Sequence, residues 1–276
     1  MSESEQEAPA GLEQAPLPEL PAAPAPGAEP ELNPAPWGIR GAILVTLLSF
    51  AVQVVVALVL GGFAAAVLTI MDPGLIRDET ELRDLVVLVT VVPMALLYTV
   101  FTLAIIYFSV TRIWRRPFAQ ALRIKTPRPG ALAGSLALGV VMAAGFVTLA
   151  TMAPPQEEIG GPLARLAETG LAGHLLWILL AVVMAPTVEE ILFRGYAYLG
   201  VRQRVGPVWA GLAVSAVFLL LHLGEAGVYF PALIGIGGMA IVLVMLMEMG
   251  GNLTYCIACH LGYNATLSIL SLIARE

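Results

Sequence analysis

The chain has 276 residues, of which 58% are hydrophobic and only 12% charged, and its formal net charge is −6. Soluble domains carry about 25% charged residues, so this composition, with a mean hydropathy of +0.86, excludes an ordinary water-soluble domain and indicates a polytopic membrane protein. Seven of the 20 acids lie in the first 31 residues, which hold no Lys or Arg; the remainder is close to neutral with basic loops, and nothing in it points to nucleic acid.

Residues 1–36 form a Pro/Ala/Glu-rich tail with almost no aliphatic cluster. Such a segment buries too little apolar surface to offset chain entropy, and the expectation is disorder. It has neither the basic start nor the apolar run of a signal peptide. Residues 37–276 are expected to form an all-α transmembrane bundle. Each apolar stretch approaches the ~20 residues that a ~30 Å hydrocarbon core requires. The predicted spans fall at 41–70, 85–110, 131–153, 174–200, 207–223, 229–249 and 253–273: about seven, with room for an eighth or a re-entrant piece. Gly130, Gly134, Gly235 and Gly238 are read as points of close helix contact.

Between the second and third spans, Arg112, Arg115, Arg116, Arg123, Lys125 and Arg128 stand without an acid. The positive-inside rule makes this loop cytoplasmic. Trp114 and Phe118 are expected at headgroup level, and 117–124 as a short surface turn. Arg202 and Arg204 put the connection after the fourth span on the same side, so the N-terminal tail is expected to be cytoplasmic too. The resulting expectation is a multi-pass protein of a bacterial cell membrane.

Against this background the polar residues of the last four spans stand out: Glu189, Glu190 and Arg194, then Phe218 and His222, then His260 and Asn264. An ionisable group at mid-bilayer costs roughly 2.5–3.5 kcal/mol on insertion scales and marks a functional site by default. Glu190 and Arg194 are four apart, on one helix face, and pairing relieves the cost of either charge alone. Glu189 is one step of about 100° around the helix and points elsewhere. His260 and Asn264 share a face, and Phe218, one turn before His222, is read as a wall against lipid. For a hairpin turning near Arg204, Glu189 lies about 15 residues before the turn and His222 about 18 after, at depths of about 22 and 27 Å. That depth lies past the midplane as seen from the basic loops. A desolvated carboxylate suits general-base work on water, an imidazole can share that water, and His260 and Asn264 offer donors to a developing oxyanion.

Pro186-x-x-Glu-Glu-x-x-x-Arg-Gly195, Phe218-x-x-x-His222 and His260-x-x-x-Asn264, in that order on late hydrophobic segments, resemble the CAAX prenyl endopeptidase and bacteriocin-processing (CPBP, or Abi) family of intramembrane proteases. The resemblance covers about residues 130–273. It implies an all-helical membrane fold and endopeptidase activity on a hydrophobic peptide or membrane-protein substrate. It also implies roles: Glu189 as the water-activating carboxylate, Glu190 paired to Arg194 or assisting, His222 positioning water or binding a metal, and His260 with Asn264 as the oxyanion hole. Arg194 becomes structural support. The family is described both as metalloprotease and as metal-free glutamate-dependent hydrolase. His222, His260 and Glu189 would be the three ligands of a divalent metal such as Zn²⁺. There is no His-Glu-x-x-His helix, and the ligand inventory weighs toward a metal-free or weakly metal-dependent site.

Other readings have less behind them. Cys256-x-x-Cys259-His260 matches the haem-attachment rule but lies inside a predicted span, where cysteines serve packing. Proton-coupled transport would use intramembrane Glu and His, yet no inverted repeat or pair of broken helices is visible. A non-catalytic immunity or scaffold protein keeping the fold is the main alternative. His174, Glu225 and Glu248 are read as interfacial or loop residues.

Overall fold

The computed structural model describes residues 35–155, 166–167, 169–226 and 229–273, so nearly all of the 1–36 tail lies outside the described residues, as does part of the 154–173 connection. Every regular element among the described residues is helical. Lipid offers no partner for backbone N–H and C=O groups, and an apolar chain therefore satisfies them within its own helices. Seven long helices result: α1 (Gly38–Met71), α2 (Glu79–Phe108), α3 (Pro129–Met152), α4 (171–205), α5 (207–221), α6 (Phe230–Gly250) and α7 (Leu253–Ile273). Each coincides with one expected span. Among the described residues, five helical runs are long and apolar enough to cross a membrane, and one of these, the 51-residue Leu171–Leu221, contains both α4 and α5. It folds back at Gly206, whose φ of 81° falls where L-residues are strained, and Pro207 follows. The remaining helix, α7, carries His260 and Asn264.

Of the four glycines the sequence indicated, Gly235 alone sits at a close helix contact; other glycines supply the rest. Gly130, Gly134 and Gly238 have nothing within 4 Å of where a side chain would begin. A Cβ at Gly139 of α3 would instead meet the Cys259 carbonyl oxygen at 2.0 Å, and one at Gly262 of α7 the Leu136 carbonyl oxygen at 2.4 Å. α3 and α7 thus meet backbone to backbone, a proximity that small residues permit. Gly235 is the member of the expected set that is crowded, against Phe146 and the Tyr263 hydroxyl.

One end of the bundle gathers the basic residues. The chain after α2 turns through Arg115 and Arg123, both at positive φ, and is stitched to the turn between α6 and α7. Leu253 N–H donates to Arg123 O at 3.0 Å, Thr254 Oγ1 to Lys125 O at 3.0 Å and Lys125 N–H to Asn252 Oδ1 at 3.2 Å. Leu122 is fully buried and Trp114 and Phe118 pack on the core while Pro117, Ala119 and Gln120 are exposed, so this is a short amphipathic surface turn anchored to the bundle. Partial burial pulls the Arg123 guanidinium below its ordinary pKa; Arg202 adds to this and Glu248 opposes it. Glu248 does not simply face water: Arg202 grips both of its oxygens, and Tyr198 Oη donates to Oε2 at 2.7 Å.

Arg202 thus lies level with Glu248, near the end of α6. His260 lies about eight residues beyond Asn252, roughly 12 Å from the basic end. Ala240, whose carbonyl Arg194 reaches, lies about eleven residues before Gly251, roughly 16 Å in.

Candidate active site

α4 is not a uniform α-helix. π-helical turns at Leu179–Met184 and Ile191–Tyr198 flank a short α-helical stretch, Ala185–Glu190, that holds both glutamates. Single π-turns concentrate at functional positions because they re-aim side chains within a helix. Pro186 in this stretch has no N–H to give the turn before it. In that turn the Ala181 carbonyl accepts from Asn264 Nδ2 at 2.8 Å, tying α7 to α4 where the helical ladder is interrupted.

The Glu190–Arg194 pairing follows the four-residue spacing: Nη1 lies 2.9 Å from Oε1, and both side chains are 0% exposed. Buried charges persist only when paired and further hydrogen-bonded. Here Arg194 Nη2 also donates to Ala240 O of α6 at 3.1 Å, and its guanidinium lies 4.6 Å from the Phe218 ring centre. Glu190 Oε2 and Arg194 Nε have no hydrogen-bond partner among the described residues.

His260 joins this pair. Its Nδ1 is 2.9 Å from Glu190 Oε1. A carboxylate only accepts, so Nδ1 carries the proton, and Nε2 is directed to the other carboxylate, 3.9 Å from Glu189 Oε2. That separation exceeds hydrogen-bond length but is short for a proton relay. Glu189, 19% exposed, is the more accessible of the two acids. It borders a cavity of about 330 Å³ between α1, α2 and α4.

His222 is more remote. Nδ1 donates to Phe218 O at 2.7 Å, leaving Nε2 as an acceptor. Its ring stacks on Phe218 with centres 4.4 Å apart, and the other face of the cluster brings His260 to 6.0 Å from Phe218. Phe218, expected to wall the site against lipid, is instead its fully buried centre, in contact with His222, His260, Phe193 and Arg194.

The three-ligand metal set considered from sequence is not assembled. Among the described residues no three of His, Cys, Asp and Glu stand together so as to hold a metal ion. Glu189 and His260 approach each other, and His222 does not complete a triad with them. Cys256 and Cys259 are buried free thiols packed inside α7, with Cys256 Sγ donating to Leu243 O at 3.3 Å. His174 packs on Trp177, and the Glu225 side chain lies outside the described residues.

Tyr98, on α2, escaped the sequence reading. It borders the same cavity as Glu189. The available signal was a tyrosine with Thr99 and Thr102 next to it in an otherwise apolar span.

Comparison with known families agrees with the motif resemblance. Residues 171–266, running from α4 into α7, match the family of type II CAAX prenyl endopeptidases, Rce1-like. An uncharacterized protein of Mycoplasma capricolum subsp. capricolum is 33% identical over 121 residues, which is 43% of this chain and 34% of that protein, so the aligned stretch spans about a third of the relative's length. No solved structure matches.

Proposed function

We propose that the protein is an intramembrane endopeptidase that hydrolyses a peptide bond in a hydrophobic peptide or membrane-protein segment. The observation carrying this reading is the Glu190–His260–Glu189 series. A fully buried carboxylate holds Nδ1 of the imidazole, and the opposite nitrogen faces a second carboxylate on a cavity wall. General acid–base catalysis needs this kind of positioned relay. The family match over 171–266 supports peptide hydrolysis as its use.

In the mechanism we infer, water at Glu189 loses a proton to the carboxylate as its oxygen attacks the scissile carbonyl carbon. His222, its Nδ1–H fixed on Phe218 O, turns Nε2 to accept from that water. The proton passes to His260 Nε2, 3.9 Å away. His260, now cationic and stabilised by Glu190, delivers it to the leaving amine as the C–N bond breaks. Asn264 keeps one amide N–H on Ala181 and offers the other to the oxyanion. Arg194 neutralises Glu190 and takes no part in bond making.

The test is cleavage of quenched hydrophobic peptides by purified protein in detergent. Glu189→Gln is expected to lower kcat by about 10²–10⁴-fold, and a chelator to leave the wild type active. Full activity in Glu189→Gln would sink the reading. Loss on chelation, restored by Zn²⁺, would replace it with a metal mechanism. The scaffold alternative predicts that Glu189→Ala keeps any cellular phenotype intact.

A further inference from the structure

A carbonyl turning tetrahedral develops negative charge on its oxygen, and acyl-transfer sites meet that charge with preorganised donors. Of the two donors implied by the motifs, His260 commits Nδ1–H to Glu190 and directs Nε2 at Glu189. Asn264 commits one N–H to Ala181. A single amide N–H is then left for the oxyanion.

The cavity beside Glu189 supplies another. Its volume of about 330 Å³ is in the range of small-ligand pockets, and its wall is largely Val, Met, Ala and Leu. The hydroxyl and amide groups on it are those of Gln53, Thr90, Tyr98 and Thr99. Thr90 Oγ1 already donates to Val86 O at 2.7 Å, and Gln53 is exposed on α1. Thr99 has a short side chain. Tyr98 is half-buried and lines the same cavity as Glu189.

We propose that Tyr98 is a catalytic residue whose phenolic O–H donates a hydrogen bond to the scissile carbonyl oxygen while water activated at Glu189 attacks the carbon. The inference rests on the peptide-hydrolase reading above. The new C–O bond takes its electron pair from water, and the carbonyl π pair moves onto the oxygen. Tyr98 stabilises that oxygen without giving up its proton, and collapse re-forms C=O as the amine departs with the proton carried by His260. Unlike the motif residues, Tyr98 is contributed by α2, outside the family-matched segment 171–266. The catalytic constellation is therefore completed by a helix that motif comparison leaves out.

Tyr98→Phe removes the hydroxyl and keeps the ring, so it tests the donor rather than the packing. The expected result is a kcat lowered by about 10²–10³-fold, the effect of one oxyanion donor, with KM within about threefold of wild type. Elution and thermal unfolding in detergent check that the variant is folded. If Glu189→Gln is inactive while Tyr98→Phe keeps kcat within about threefold, the Tyr98 assignment falls and the hydrolase reading stands. If wild type cleaves none of a panel of hydrophobic peptides, or Glu189→Gln cleaves as well as wild type, both fall together.

Discussion

At Glu190 one oxygen serves two neighbours, Arg194 Nη1 and His260 Nδ1, each at 2.9 Å, and all three side chains are buried. Removing either charge leaves the other buried and uncompensated, which costs about 3–5 kcal/mol. Arg194→Met is accordingly expected to destabilise the protein by that amount in detergent unfolding, and Arg194→Met with Glu190→Gln to destabilise it less than Arg194→Met alone. Asn264→Ala leaves the Ala181 carbonyl without its side-chain donor, at a cost of about 1–3 kcal/mol; the same unfolding measurement reads it. The Glu190–Arg194 pairing was legible from spacing alone, because residues four apart on a helix meet whatever surrounds them. The partners of His260 and Asn264 were not. They belong to other helices, and a motif records which residues are present without recording which nitrogen faces which oxygen. Tyr98 was hidden for a related reason: a lone tyrosine in a span looks like packing until the helix opposite it is known.

Among the elements, α4 departs furthest from expectation. Its apolar length was readable, and so was the reversal after it, since Gly206-Pro207 can only break a helix. Its π-turns were not, because hydropathy averages over a window wider than one inserted residue. The α3–α7 contact is similar: many glycines are present, and only the packing shows that Gly139 and Gly262 are the crowded ones. Gly139→Ala would bring a methyl to 2.0 Å from the Cys259 carbonyl, one residue from His260. The helices must then separate, and the expected outcome is a lower unfolding temperature together with lost peptidase activity. Gly134→Ala, with nothing within 4 Å, is expected to leave both unchanged, so comparing the two variants separates helix contact from helix propensity.

In the whole molecule, the charged residues at one end act as a clasp: Arg202 and Glu248 join α4 to α6, while the Arg123–Lys125 segment binds the start of α7. Glu248→Gln keeps the shape and removes the charge; its expected effect is a loss of about 1–3 kcal/mol, with kcat little changed because about 13 residues of helix, roughly 20 Å, separate Arg202 from Glu189. The positive-inside rule predicts that this end faces the cytoplasm, and single cysteines at Arg112 and Asp78 are then expected to label from opposite sides of the membrane. At the same end the chain enters the bundle at Trp37, whose indole lies parallel to Tyr196 at 4.4 Å and donates to the Tyr196 carbonyl at 2.9 Å. Tyr196 belongs to the π-turn that follows Glu189 and Glu190. That stack is a built-in optical gauge: the emission of this indole would report strain on the site helix, whether it comes from substrate within the membrane or from a pull on the residues that precede it.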